Sequence, residues 1–181
     1  MNNNNNNNNE TEIATLANGC FWCSEAIFKK IKGVKSILPG YAGGTLKNPS
    51  YDQVCTGMTG HAESIQIKFD PKSISFEKIL DIFWHTHDPT TLNRQGNDIG
   101  TQYRSSIFYH DEKQKTLAVA SKKSLEKSGK FKKITTKIIK AEKFYVAEEY
   151  HWNYHKKNPI SYNIYRKLSG REDFINKTGR K

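Results

Sequence analysis

The stretch Ile13-Ala14-Thr15-Leu16-Ala17-Asn18-Gly19-Cys20-Phe21-Trp22-Cys23-Ser24-Glu25 sets the organisation of the chain. Its first five residues read as a short buried strand, and from Glu25 to Ile31 the apolar residues Ile27, Phe28 and Ile31 fall at helical spacing. Cys20 therefore stands where a strand turns into a helix. Free backbone N–H groups and the positive end of the helix dipole favour a thiolate there, so its pKa is expected below the ordinary thiol value of about 8.5. In a first helical turn an i,i+3 pair brings the Cα atoms of Cys20 and Cys23 to roughly 5 Å, within the span of a disulfide. Two thiols beside two large aromatics indicate redox chemistry next to an apolar pocket.

Outward from this unit, Gly33 to Tyr41 reads as a strand ended by Gly43-Gly44. The polar loop that follows, Thr45 to Gly60, is long enough to suggest function. Glu63 to Phe69 alternates as a half-buried strand should, and Asp70-Pro71 stops it. Ser75 is an N-cap for a helix through Trp84, with Phe76, Ile79, Leu80 and Phe83 on one face. His85 to Gly100 is again a polar loop. Ser105 to Tyr109 reads as a strand, Asp111 to Ser128 as a long helix closed by Gly129, and Ile134 to Ala141 as a last strand. From Glu142 to Lys181 the chain is aromatic and polar with little period, and is expected to wrap over the rest as a short helix and coil.

Strand, helix, strand, strand, helix, strand is the split βαβ order of ferredoxin-like folds, here with a further helix and strand appended. The expected fold is α+β with a mixed sheet, added helices and a C-terminal wrapping coil. Residues 1–10, an Asn-rich low-complexity tail, stand apart from a single domain over 11–181.

With 35% hydrophobic and 12% aromatic residues, a chain of 181 residues can build a core as one domain. The apolar runs are too short to span a bilayer, and Met1 followed by Asn2 to Asn9 has neither the basic nor the apolar region of a secretory signal. Three cysteines, an odd number, argue against a secreted disulfide framework and for a reducing, cytoplasmic setting. The net charge of +11 raises nucleic-acid binding. Much of it lies along helix faces, as at Lys113, Lys115, Lys122, Lys123 and Lys127, without any nucleic-acid motif, so it reads as a solvated basic surface that favours acidic partners.

Three further runs narrow the chemistry: Tyr51-Asp52-Gln53-Val54-Cys55-Thr56-Gly57-Met58-Thr59-Gly60-His61-Ala62-Glu63, Asp98-Ile99-Gly100-Thr101-Gln102-Tyr103-Arg104-Ser105, and Ala147-Glu148-Glu149-Tyr150-His151 with Lys157-Asn158-Pro159. Taken in order with Gly19-Cys20-Phe21-Trp22, they make the chain similar to the A-type peptide methionine sulfoxide reductases from Ile13 to about Tyr165. The resemblance implies that Cys20 attacks the sulfoxide sulfur of free or protein-bound methionine S-sulfoxide. It implies that Phe21 and Trp22 receive the S-methyl group, that Glu63 donates a proton to the oxygen, and that Tyr51 and Tyr103 hydrogen-bond it. Asp98 would support a water or one of these groups. Ordinary packing would explain Phe21 and Trp22 were Cys20 not standing between Gly19 and Phe21.

Attack by Cys20 leaves a sulfenic acid that a second thiol must close to a disulfide, reducible by an external dithiol such as thioredoxin. Many relatives place that thiol in the C-terminal tail, which here has no cysteine. Cys23, at a position that is glycine in many relatives, is the preferred resolving thiol because its spacing permits the bridge; Cys55 is the alternative. No further cofactor and a monomeric state are expected. Two other readings remain: a general CxxC thiol–disulfide oxidoreductase, and a metal site drawn from Cys20, Cys23, His85, His87, His151 and His155. No second CxxC completes a structural zinc site, so no metal is expected.

Overall fold

The computed structural model describes residues 11–178; the Asn-rich tail expected over 1–10 lies outside the described residues. In chain order the elements are β1 (Glu12–Asn18), α1 (Phe21–Phe28), β2 (Val34–Ala42), α2 (Tyr51–Cys55), β3 (Ala62–Phe69), α3 (Phe76–His85), β4 (Arg94–Gln95), β5 (Asp98–Ile99), β6 (Ser105–Tyr109), α4 (Glu112–Lys127), β7 (Lys137–Lys140), β8 (Tyr145–Val146), α5 (Tyr154–Lys157), α6 (Pro159–Leu168) and α7 (Arg171–Thr178). A six-stranded sheet runs β7-β6-β1-β3-β2-β8, and β4 and β5 form a separate hairpin. Its inner strands β6-β1-β3-β2 are mutually antiparallel, which is the ferredoxin-like split βαβ core. β7 joins β6 in parallel through α4 and makes the sheet mixed, as the sequence order implied.

The pleat explains what each face holds. Leu16 lies opposite Ile65 and Ala14 opposite Ile67, and these side chains meet Phe28 of α1 and Ile79, Leu80 and Phe83 of α3 in one buried cluster. Each fully buried Leu, Ile or Phe there contributes about 1.5–3 kcal/mol of transfer free energy. The opposite face carries a smaller cluster of Ala17, Ala42, Ala62 and Phe108. Because side chains alternate, Glu63 shares the helix-covered face with Ile65 and Ile67 and is 1% exposed. Caps fall where expected: Ser75 accepts from the Lys78 N–H at 3.3 Å, and Asp111 from the Gln114 N–H at 2.7 Å.

Four segments differ from their sequence reading. The first helix starts after Cys20 as expected but ends at Phe28, short of Ile31, and residues on several of its sides are buried, among them Phe21, Cys23, Ser24, Glu25, Ala26 and Phe28, so a single apolar stripe does not mark its end. The 45–60 loop contains α2, started by a capping box in which Ser50 and Gln53 satisfy each other's backbone N–H groups. The 85–100 loop contains the β4–β5 hairpin. The expected C-terminal coil is instead largely helical, with α5, α6 and α7 and the edge strand β8, which pairs with β2. α5 packs against α1, Tyr162 and Tyr165 of α6 join Cys23 and Ala26 of α1, and α7 packs on α6, so their apolar residues answer to neighbouring elements.

Candidate functional site

The turn between β1 and α1 needs its glycine. Gly19 has φ +86, and a Cβ there would come within 2.6 Å of the Gln95 side chain. Cys20 follows as the N-cap of α1, and its side chain makes no capping bond to the helix. The free N–H of Phe21 is taken by Glu63, whose Oε2 accepts it at 3.1 Å. The helix end therefore serves the carboxyl directly and the thiol only at second hand. Cys20 is buried, and burial, a hydrogen bond with Cys23 and the nearby Glu63 raise its pKa rather than lower it, reversing the sequence expectation. Cys23, also buried, accepts the Cys20 S–H, and this bond outweighs burial so that Cys23 is the more acidic thiol; Arg171 and a hydrogen bond with Tyr162 act in the same direction.

Among the described residues Glu63 forms no ion pair with a cation. Desolvation pushes its pKa up to about 8, the Phe21 N–H opposes that rise, and Asp98 and Cys23 add to it. Its carboxyl is thus protonated near neutral pH, as a proton donor must be.

Two loops bring the tyrosines to the same place. Thr101 Oγ1 donates to the Gly57 carbonyl at 3.0 Å and Gln102 Nε2 to the Cys55 carbonyl at 3.3 Å, docking the 101–103 turn onto the end of α2. Arg104 locks the arrangement through the Gly60 and Thr101 carbonyls at 2.8 and 3.0 Å. Tyr51 and Tyr103 then both face Glu63, and burial raises the pKa of each, with Glu63 as the next cause, so both phenols remain O–H donors. Cys55 is exposed and hydrogen-bonds Tyr51, one turn before it on α2. His61 is structural: it accepts the Gly44 N–H at 3.1 Å through Nδ1 and pairs with the Leu46 carbonyl at 2.8 Å through Nε2.

The aromatic side of the site is built from both ends of the chain. Phe21 is buried and stacks on Tyr51 at 6.4 Å, whereas Trp22 is half-buried and stacks on Tyr154 at 3.9 Å. The Trp22 indole N–H donates to His151 Nδ1 at 3.1 Å, which leaves the His151 proton on Nε2. His151 lies 4.4 Å from Tyr51 and 5.0 Å from Phe21, ring to ring, and so wedges all three rings in place. Glu148 anchors the tyrosines, accepting the Tyr51 N–H at 2.9 Å and the Tyr41 hydroxyl at 2.7 Å.

The structure therefore gathers Cys20, Cys23, Phe21, Trp22, Tyr51, Glu63, Asp98 and Tyr103 around the start of α1 and leaves Cys55 at the rim. Asp98, its pKa raised by burial, accepts from the Tyr165 hydroxyl. Sequence reasoning assigned no role to Tyr162, Tyr165 and Arg171, which close over the two thiols from α6 and α7, or to Glu148, and weighed His151 only as a metal ligand. Glu148 and His151 lie in a quoted motif; the others carry no spacing signal. Of the histidines weighed as ligands, His85 binds the Asp81 carbonyl, His87 the Phe83 carbonyl and Ser105 hydroxyl, and His151 takes the Trp22 indole N–H.

This arrangement has clear counterparts. A family model described as peptide methionine sulfoxide reductase matches residues 12–181. A peptide methionine sulfoxide reductase MsrA 1 from Rhodopirellula baltica is 56% identical over 150 residues, 82% of this chain and 77% of that protein. The MsrA of Methanosarcina acetivorans is 53% identical over 156 residues, 86% of this chain and 83% of that protein. Among solved structures, reduced Mxr1 from Saccharomyces cerevisiae superposes with a TM-score of 0.79 at 38% identity, covering 83% of this chain and 87% of that one. Mxr1 in complex with Trx2 gives 0.58 at 28% identity, covering 82% and 87%. The chain belongs to the peptide methionine sulfoxide reductase family.

Proposed function

We propose that Cys20 reduces methionine S-sulfoxide, free or in oxidised proteins, with Glu63 as proton donor and Cys23 as resolving thiol. One observation carries this reading: a buried carboxyl, neutral near pH 7, is hydrogen-bonded to the residue next to a cysteine pair. The S-methyl group packs against Phe21 and Trp22, where sulfur and methyl contacts to rings are favourable by roughly 0.3–1.5 kcal/mol. Tyr51 and Tyr103 bond the sulfoxide oxygen, and those bonds strengthen as it gains charge.

Cys20 becomes nucleophilic when it gives up its proton to solvent as substrate enters, and its hydrogen bond with Cys23 orients the sulfur. Its sulfur attacks the sulfoxide sulfur while Glu63 protonates the oxygen. In the adduct the hydroxyl passes from the methionine sulfur to the Cys20 sulfur as the S–S bond breaks with its electron pair on the methionine sulfur, so methionine leaves and a sulfenic acid remains on Cys20. Cys23 closes the disulfide, and a thioredoxin-type dithiol reopens it, as the Trx2 complex of Mxr1 suggests for a relative. Asp98 supports Tyr165 at the edge of this site. The enzyme works as a single domain over 11–181, as a monomer, without further cofactor, and in a reducing compartment such as the cytoplasm, where both thiols regenerate. Among the described residues no helix is long and apolar enough to cross a membrane.

A general thiol–disulfide oxidoreductase is disfavoured, because disulfide exchange has no use for the protonated Glu63 and the Tyr51 and Tyr103 hydroxyls gathered beside Cys20. Incubation with each epimer of methionine sulfoxide and dithiothreitol tests the proposal. Turnover of the S epimer is expected; no turnover of it would remove this reading.

A further inference from the structure

Arg171 is 3% exposed, and its guanidinium spends its bonds on uncharged acceptors. Nε donates to the Thr86 carbonyl at 2.8 Å, Nη1 to the Cys20 carbonyl at 3.3 Å and Nη2 to the Ser24 hydroxyl at 3.5 Å. Among the described residues no carboxylate forms an ion pair with it, and Glu172, the adjacent acid, pairs with Arg166 instead. A buried cation without an anion is costly, so such groups are normally paired. Arg171 also opens α7, the helix end where a positive charge is least favourable. Helix stability therefore does not account for it. Arg171 and Cys23 line one cavity of about 300 Å³, and the Asp98 carboxyl, which also feels the Arg171 charge, takes its hydrogen bond from Tyr165 instead.

Resting on the reading of Cys23 as the resolving thiol, we propose that Arg171 is the positioning residue for a Cys23 thiolate, its buried counter-cation through both halves of the thiol cycle. In the closing step the Cys23 sulfur anion attacks the Cys20 sulfur. The S–S bond forms, the S–O bond breaks, and hydroxide leaves, taking a proton from solvent to become water. In the reopening step a thiolate of the external dithiol attacks the Cys20 sulfur, and Cys23 departs with the bonding electron pair. The dithiol's second thiol then releases Cys20, so the dithiol is oxidised as the enzyme is reduced. A low-pKa thiol leaves faster, so Arg171 directs reduction to Cys20.

Other groups facing Cys23 set the background. Tyr162 of α6 hydrogen-bonds the sulfur, and Tyr165 of the same helix lies close. The Asp98 and Glu63 carboxyls, from β5 and β3, disfavour its charge when ionised. Lys30 and the paired Arg166 stand at the cavity wall, with Lys30 exposed.

The test uses the full chain carrying Cys20→Ser and Cys55→Ser, leaving Cys23 as the sole thiol, and follows thiolate absorbance at about 240 nm against pH. With Arg171 present the midpoint should lie below the ordinary thiol value of about 8.5. Arg171→Gln should raise it by about one unit, a tenfold loss of thiolate below the midpoint, and Arg171→Lys should restore most of the shift. In the three-cysteine protein, Arg171→Gln should release the first methionine with unchanged stoichiometry and close the disulfide more slowly at pH values below the Cys23 midpoint, by up to about tenfold. Equal midpoints with and without the Arg171→Gln substitution overturn the inference. So does an ordinary midpoint in the protein that retains Arg171, a measurement that stands even if Arg171→Gln does not fold. Closure of Cys20 onto Cys55 would instead overturn the resolving role, while the midpoint comparison still reports on Arg171 and separates the two failures.

Discussion

The Phe21 amide donates to the Glu63 carboxyl across 3.1 Å, tying the acid to the residue beside the nucleophile. The bond fixes where the proton is delivered, and burial fixes when it is available. With its pKa pushed up to about 8, Glu63 carries a proton at neutral pH and loses it in mild alkali. Turnover of methionine sulfoxide should therefore fall as pH rises through about 8. Glu63→Gln should lower kcat by about 10²–10⁴-fold and leave no such alkaline limb. A pH profile of kcat for both proteins checks this; an unchanged limb in the variant would assign it to another group.

The same carboxyl links stability to pH. Glu63 holds its proton more tightly when folded, about 8, than in the unfolded chain, near 4.5. The folded state thus binds the extra proton between those values. Its contribution is fully present below about 4.5 and is lost as pH rises to about 8. Glu63→Gln has no proton to lose. Calorimetric Tm values should shift in favour of the variant, relative to the parent, as pH is raised across that window.

Tyr51 and Tyr103 reach Glu63 from different loops and keep their hydroxyl protons. Tyr51→Phe and Tyr103→Phe should each cost about 10²-fold in kcat, the scale of one lost donor to a developing oxyanion, with KM little changed. Steady-state kinetics decides. A rise in KM at constant kcat would make the hydroxyls ground-state binding groups instead.

The three cysteines separate by single turnover. Cys20→Ser should release no methionine. Cys23→Ser should release about one equivalent per enzyme and stall as a sulfenic acid that a dimedone-type reagent traps. Cys55→Ser should turn over like the parent, and peptide mapping of the oxidised parent should give a Cys20–Cys23 bond. A Cys20–Cys55 peptide would contradict the assignment.

Local signals explain which parts of the fold are legible in the sequence. Ile65, Ile67 and Phe69 alternate because they face one core, and Ser75 and Asp111 cap because their oxygens reach an N–H three residues on. The capping box at Ser50 and Gln53 is equally local, but the polar composition around it hides the short helix it starts. The order of strands carries the ferredoxin-like core; α5 to α7 are obscured because they are short and answer to neighbouring elements.

The candidate site divides in the same way. Cys20, Glu63, Tyr51 and Tyr103 stand in motifs and meet in space. The direction of the Cys20 shift is not legible, because the helix N–H expected to favour a thiolate goes to a carboxyl from a strand 42 positions away. Arg171 is illegible for a related reason: its contact with Cys20 spans 151 positions, and no spacing rule reaches that far.

That span also sets an order of events during synthesis. The sheet can assemble once β8 has emerged, yet both thiols stay uncovered until α6 and α7 arrive behind it. A newly made chain therefore passes through an interval in which its reactive sulfurs are open to the same oxidants whose damage the finished protein repairs. A chain ended after Asn158 lacks both helices and should hold that interval permanently: its Cys20 should alkylate faster than in the full protein. Equal alkylation rates would mean that α6 and α7 offer the nascent thiols no shelter.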